Sequence, residues 1–183
     1  MAFPGRTRIA LPRRALVCAA MLAFAANICA QTGDWKLYPY NADGFQAAFP
    51  ALPEIQKKDV PTDAGPLELR SYTVQFGSTI LYIGVCDYGA AAAGKSTEQM
   101  LEGAKNGALI NSGSRLVEEK SISLDGNPGV AFDARSDSAQ FTARIYLRGD
   151  TMYQTIVVTP LGRPDPETTR FFESFQFLPK PAN

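Results

Sequence analysis

Nine residues limit the fold more than any others. Thr79 to Asp87 reads TILYIGVCD, with Ile80, Tyr82 and Cys86 on one parity and Leu81, Ile83 and Val85 on the other. Successive side chains of a strand point to opposite faces. A strand that is apolar on both parities has to be covered on both faces. This segment is therefore expected in the interior of a sheet, with a layer packed on either side.

The surrounding chain reads as strands punctuated by turns, with two helices. Gln31 to Ala42 is a short aromatic segment, and Gly44 to Pro50 (GFQAAFP) is a first strand stopped by proline. Pro53 to Val60 is polar with a β-branched end, an expected edge strand. Asp63-Ala-Gly-Pro66 is a turn, Leu67 to Gln75 a strand, and Gly77-Ser78 the next turn. Ser96 to Ser112 is the main helix. Ser96-Thr-Glu-Gln99 is a capping box, Met100, Leu101, Ala104 and Ala108 form its apolar stripe, and Gly113 stands where a helix ends in a left-handed residue. Hairpins follow: Arg115 to Leu124, a turn at Asp125-Gly-Asn-Pro-Gly129, then Val130 to Ser136, Gln140 to Arg148 and Thr151 to Thr159. Asp165 caps a short helix that begins at Pro166 and carries Phe171 and Phe172. Phe175 to Leu178 is a last strand or extended tail.

The N-terminus has a different character. Arg6, Arg8, Arg13 and Arg14 precede a 14-residue apolar run, Ala15 to Ile28, and Ile28-Cys29-Ala30 offers a small residue at a cleavage position. That order predicts a signal peptide over residues 1–30 and a single domain over 31–183. The run is short for a membrane anchor. Arg13-Arg14 leaves the export route open between Sec and twin-arginine types. Neither Cys18 nor Cys29 follows the small residue that a lipoprotein site requires. The expected destination is the periplasm or the extracellular space. Removing the four signal arginines from 18 basic residues leaves 14 against 18 acidic, a net charge of −4. No basic stripe remains as a nucleic-acid footprint. Cys86, the one cysteine left, sits in an apolar run and reads as an inert core thiol.

Several motifs suggest chemistry and fail on context. Gly89 to Ser96 (GAAAAGKS) fits the G-x-x-x-x-G-K-[ST] phosphate loop. Such a loop needs a later carboxylate on a neighbouring parallel strand, and the chain beyond the helix reads as antiparallel hairpins. Val130-Ala-Phe-Asp133 imitates that later strand but leaves a tight turn, as a hairpin strand does. Ser96 also has local work as a cap. The chain has no histidine, which excludes Ser-His-Asp and Cys-His catalysis and every histidine metal site. A Ser–Lys dyad could use Lys95 with Ser96 or Ser114, but nothing in the sequence positions one. Asp133, Asp137 and Asp150 lack the spacing of a calcium loop and read as solvated carboxylates. Arg148-Gly149-Asp150 is the adhesion tripeptide, yet Leu147 to Met152 also reads as a two-residue hairpin. That register sets Leu147 opposite Met152, Tyr146 opposite Tyr153 and Ala143 opposite Ile156. No residue is assigned as catalytic, cofactor-binding or metal-ligating.

The order of motifs in the second half has a counterpart. Gly126-Asn-Pro-Gly129, Ala143-Arg-Ile-Tyr-Leu147, a glycine turn with Met152-Tyr153, and Phe171-Phe-Glu-Ser-Phe175, with Phe45 to Pro50 near the start, resemble the PsbP-like domain family. The resemblance spans most of the mature chain and rests on turns and core aromatics. It implies an α+β fold, an antiparallel sheet sandwiched between helices. Members in the thylakoid lumen are extrinsic accessory proteins of a membrane complex, and many bacterial relatives are exported without an established activity. The matched positions carry no catalytic residue, and Gly89 to Ser96 falls in the loop before the family's long helix. The expectation is an exported, non-enzymatic accessory or binding protein whose partner is an envelope membrane protein or complex. The alternative is a small-ligand binder or enzyme using a cleft between sheet and helix, with Tyr72, Tyr82, Tyr146 and Tyr153 as candidate lining residues.

Overall fold

The computed structural model describes residues 33–62, 65–163 and 165–179; the expected signal peptide lies outside them. Ten strands and two helices follow one another: β1 (Lys36–Tyr40), β2 (Phe45–Phe49), β3 (Glu54–Thr62), β4 (Gly65–Phe76), β5 (Thr79–Asp87), α1 (Thr97–Ser112), β6 (Arg115–Leu124), β7 (Asn127–Arg135), β8 (Ala139–Arg148), β9 (Thr151–Pro160), α2 (Glu167–Ser174) and β10 (Gln176–Phe177). Seven strands form one antiparallel sheet in the order β3-β4-β5-β9-β8-β7-β6. β1, β2 and β10 form a second, three-stranded sheet.

The turns set this order. Asp125 (φ 50°) and Gly126 (φ 77°) link β6 to β7 as a two-residue turn, in which both central residues need positive φ. Gly149 (φ 60°) opens the β8–β9 turn and places Leu147 opposite Met152, Tyr146 opposite Tyr153 and Ala143 opposite Ile156, the expected register. The turn expected across Asp125 to Gly129 is shorter than its sequence suggests, because β7 starts at Asn127 rather than Val130. Pro128 is tolerated there because the β7–β8 ladder begins only at Gly129. Gly129 itself marks a close approach: a Cβ there would lie 2.4 Å from the Ile145 carbonyl oxygen.

β5 lies inside the sheet between β4 and β9, as its two apolar parities require. Each face of the sheet has its own core. On one, Leu81, Ile83 and Val85 pack with Phe45, Phe49, Tyr72, Tyr146, Tyr153 and Phe171. On the other, Met100, Leu101 and Ala104 of α1 pack on Phe132, Ile145, Leu147 and Met152. The sandwich expected from the sequence needs one correction. The aromatic face is covered by the small sheet together with α2, not by helix alone. The aromatic segment before Ala42 supplies the missing strand: β1 pairs with β2 from Lys36↔Phe49 to Tyr40↔Phe45.

α1 is capped as expected. Ser96 Oγ accepts from the Gln99 N–H (3.2 Å), Gln99 Oε1 accepts from the Ser96 N–H (2.8 Å), and Gly113 (φ 60°) ends the helix. α2 starts one residue later than expected, at Glu167. The Asp165 carboxylate still accepts its first N–H (2.9 Å) and also the Thr79 hydroxyl (2.5 Å), tying the helix to the start of β5.

Candidate functional site

α1 does not cover its whole face of the sheet. It lies over β7 and β8, and Lys105 fixes it there. The Lys105 ammonium is buried between Glu102 (2.7 Å) and Glu119 on β6. Burial alone would push its pKa down, but the hydrogen bonds and charges of the two glutamates outweigh that and raise it. The helix is thus pulled toward the β6 edge, and the strip over β4, β5 and β9 stays open as a groove of about 480 Å³.

The groove exists because the helix presents nothing large to it. Gly103, Ala104, Gly107, Ala108, Asn111 and Ser112 line that side of α1. They recur at the spacing that puts residues i and i+4 on one face. Glycine inside a helix costs about 1 kcal/mol relative to alanine. Close packing would explain such a residue, but a Cβ built on Gly103 or Gly107 meets no atom within 4 Å among the described residues. Both glycines face open space.

The floor is apolar at its two ends. Ile80, Ile156, Val158 and Phe141 stand toward one end, and Val60, Leu67 and Leu69 line the other. All are partly exposed, and Ile80 reaches 37%. Between them Tyr82 lies down over Gly84: its Oη sits 2.7 Å from where a Gly84 Cβ would be. Gln154 stands directly across from Gly84 in register. Asn111 and Tyr88 bring two further neutral polar groups, and no charged residue lines the groove among the described residues. Burial raises the Tyr82 hydroxyl and the Cys86 thiol above their ordinary values, so both are neutral at pH 7. Cys86 is 8% exposed, forms no disulfide and lines the groove; its burial is as expected.

The structure separates the other candidates. Of the four tyrosines, Tyr82 lines the groove, whereas Tyr72, Tyr146 and Tyr153 lie in the aromatic core on the opposite face. Lys95 precedes α1 and Ser114 follows it, so sixteen helical residues, about 24 Å, separate those two, and Ser96 Oγ is engaged in capping α1. β5, which leads into Gly89 to Ser96, runs antiparallel to both neighbours, and Gly89–Ala92 is a 3-10 turn. The Asp133 carboxylate accepts from the Thr142 hydroxyl (2.7 Å), while Asp137 faces Arg115 (3.7 Å) with both side chains in solvent. No group of three metal-ligating side chains occurs among the described residues. Arg148 is committed inward, donating to the Leu178 (2.7 Å) and Gly44 (3.3 Å) carbonyls.

Sequence reasoning missed one buried polar cluster. Asp43, 8% exposed, accepts from Arg70 Nε (2.5 Å) and from the Tyr72 hydroxyl, and the Tyr153 hydroxyl donates to its backbone carbonyl (2.8 Å). Burial and the Asp43 carboxylate push the Tyr72 hydroxyl well above its ordinary value. Every polar atom of Asp43's side chain is thereby used in joining the β1–β2 connection to β4, so this cluster is a fastening between layers. Two glycines four apart inside a capped helix were the visible signal for the groove, and it was not read.

With this geometry in place, solved structures supply a comparison. The solution structure of cyanobacterial PsbP (CyanoP) from Synechocystis sp. PCC 6803 superposes with a TM-score of 0.56, covering 84% of this chain and 98% of that one at 12% identity. The chain has a PsbP-like fold. The crystal structure of PA94 from Pseudomonas aeruginosa, a protein of unknown function described as a putative regulator, gives a TM-score of 0.34 at 12% identity, over 68% of this chain and 82% of that one. No family profile matches the sequence, and no curated protein does. In a PsbP-like frame the groove occupies the helix-covered face, and the aromatic core lies behind it.

Proposed function

We propose that the mature chain is an exported, non-enzymatic binding protein of the cell envelope, and that it binds an apolar ligand in the groove beside α1. One observation carries this reading: a groove of about 480 Å³, walled by glycines with open space before them and, among the described residues, free of charged side chains. Small-ligand sites are concave, mostly apolar and of this size, with a few neutral polar groups. The envelope membrane protein expected as a partner would then be the donor or recipient of the ligand. The sequence pattern of residues 1–30 supports export.

Titration with N-phenyl-1-naphthylamine, an uncharged dye that brightens in apolar sites, tests the reading. The mature domain should bind it saturably at one site, and Gly103→Leu/Gly107→Leu, which fills the wall, should abolish binding while leaving the circular dichroism spectrum unchanged. Absence of saturable binding by the unaltered domain would defeat the proposal. So would full binding by the folded double variant. Fractionation of tagged full-length protein checks export: recovery in the cytoplasm at full length would refute it.

A further inference from the structure

Two polar side chains of the groove, Tyr82 and Gln154, rise from neighbouring positions on its floor, and their position narrows the class of ligand. Resting on the groove reading above, we infer that the ligand is an uncharged lipid with an internal carbonyl, an ester within an aliphatic chain, whose oxygen is held by Tyr82 and Gln154.

Three observations lead there. First, no lining residue among the described residues carries a charge. A carboxylate or ammonium buried without a partner is strongly disfavoured, so a fatty-acid head has no counter-ion inside the groove. Second, the Tyr82 hydroxyl is laid over Gly84, and Gln154 is the residue paired with Gly84 across β5 and β9. Paired residues lie about 5 Å apart and face the same side of the sheet, so both side chains rise from adjoining positions of the groove floor. Neither makes a side-chain hydrogen bond among the described residues; the Tyr82 O–H can donate, and the Gln154 NH₂ can donate. Two neutral donors on adjoining positions suit a carbonyl oxygen. Third, the floor is aliphatic on both sides of these positions. Ile80, Ile156 and Val158 lie one way, Leu67 and Leu69 the other. A ligand with its polar group at one end would leave one apolar arm of the groove empty. A ligand with the polar group between two hydrocarbon arms fills both.

Gly84 is the residue that permits this arrangement. A Cβ there would stand 2.7 Å from the Tyr82 Oη and 3.0 Å from its Cε1, so the ring could not lie flat. Both contacts are to the far end of a side chain, which can swing aside without moving the backbone.

Two isomers decide the matter. Hexyl hexanoate and dodecanoic acid are isomers; at pH 7 the acid is the dodecanoate ion, so the pair differs both in placing the oxygens inside the chain or at its end and in carrying no charge or one. In displacement of N-phenyl-1-naphthylamine from the mature domain at pH 7, hexyl hexanoate should act at about a tenfold lower concentration than dodecanoate. Tyr82→Phe/Gln154→Leu should weaken the ester about tenfold, the loss of two neutral hydrogen bonds, and leave the dye's own affinity within about twofold. Gly84→Ala should weaken the ester similarly while the domain stays folded. Equal or better displacement by dodecanoate overturns the inference, and so does an unchanged ester affinity in the folded double variant. If the dye binds and the isomers do not differ, this inference fails alone. If the dye does not bind, the groove reading fails and takes this inference with it.

Discussion

Leu81 and Tyr82 are neighbours in β5 and end on opposite faces of the sheet. Leu81, 1% exposed, is enclosed by aromatic rings of the small sheet and α2. Tyr82 lies half-buried on a floor that its helix leaves uncovered. The difference is one of residue size in the covering layer. Behind the sheet the cover brings Phe45, Phe49, Phe171, Phe172 and Phe175, and rings such as Phe45 and Phe175 stack 5.7 Å apart. In front, the groove side of α1 brings glycine, alanine, serine and asparagine. One sheet thus carries a face that holds the fold together and a face that leaves room. The lesson is that helix composition, more than sheet composition, decides which face can bind.

The sharpest way to break this comparison is to truncate a side chain on each face. Phe171→Ala should cost about 4 kcal/mol in urea unfolding, as deletion of a buried ring does, whereas Ile156→Ala on the groove floor should cost about 1 kcal/mol. Equal losses would mean that the groove floor is core. Next in size is Asp43→Ala. It leaves Arg70 and the Tyr72 hydroxyl without their acceptor and should cost about 2 kcal/mol, discounted because Arg70 retains some exposure. Asp43→Asn should recover part of this, since its carbonyl still accepts from Tyr72.

The Lys105 anchor makes a pH-dependent prediction. Its folded pKa is raised above the ordinary 10.5, so the protein gains stability that is fully present below 10.5 and is lost as pH rises through the folded value. Lys105→Met should lower stability at pH 7 by about 1 kcal/mol and flatten the part of the alkaline decline that lies above 10.5. Thermal unfolding between pH 7 and 11 reads both; an identical decline in the variant would show that the anchor is not what holds α1 to β6. The smallest effect has the most informative sign. Gly103→Ala and Gly107→Ala should each stabilise the domain, by about 0.5–1 kcal/mol, while weakening dye binding. A packing role for these glycines would give the opposite sign in stability.

The fold was largely legible because it rests on local signals. TILYIGVCD placed β5 inside the sheet, the Gly149 turn fixed the β8–β9 register, and the Ser96–Gln99 box started α1. The strand β1 was not legible. Pro39 stands inside it, and its aromatics pack on β2 and on Tyr72 of β4, so tertiary packing decided what propensity did not. The groove was legible only in part. Tyr82 could be named but not separated from Tyr72, Tyr146 and Tyr153, because parity says which residues share a face and not which face is left open. Asp43 was invisible for a similar reason: its partners come from 27 and 29 positions away.

One ladder of the large sheet differs from the others. β3-β4-β5 and β6-β7-β8-β9 are each built by hairpins between consecutive strands, but β5 meets β9 across α1 and three intervening strands. Local pairings form before distant ones, since closing a long loop costs entropy before any contact rewards it. The consequence is temporal. The two meanders can assemble separately, and their joining along β5 and β9 is the slow event that completes the sheet. Tyr82 and Gln154 lie one on each side of that seam, so the groove floor comes into being only at the last step of folding and exists in neither meander alone.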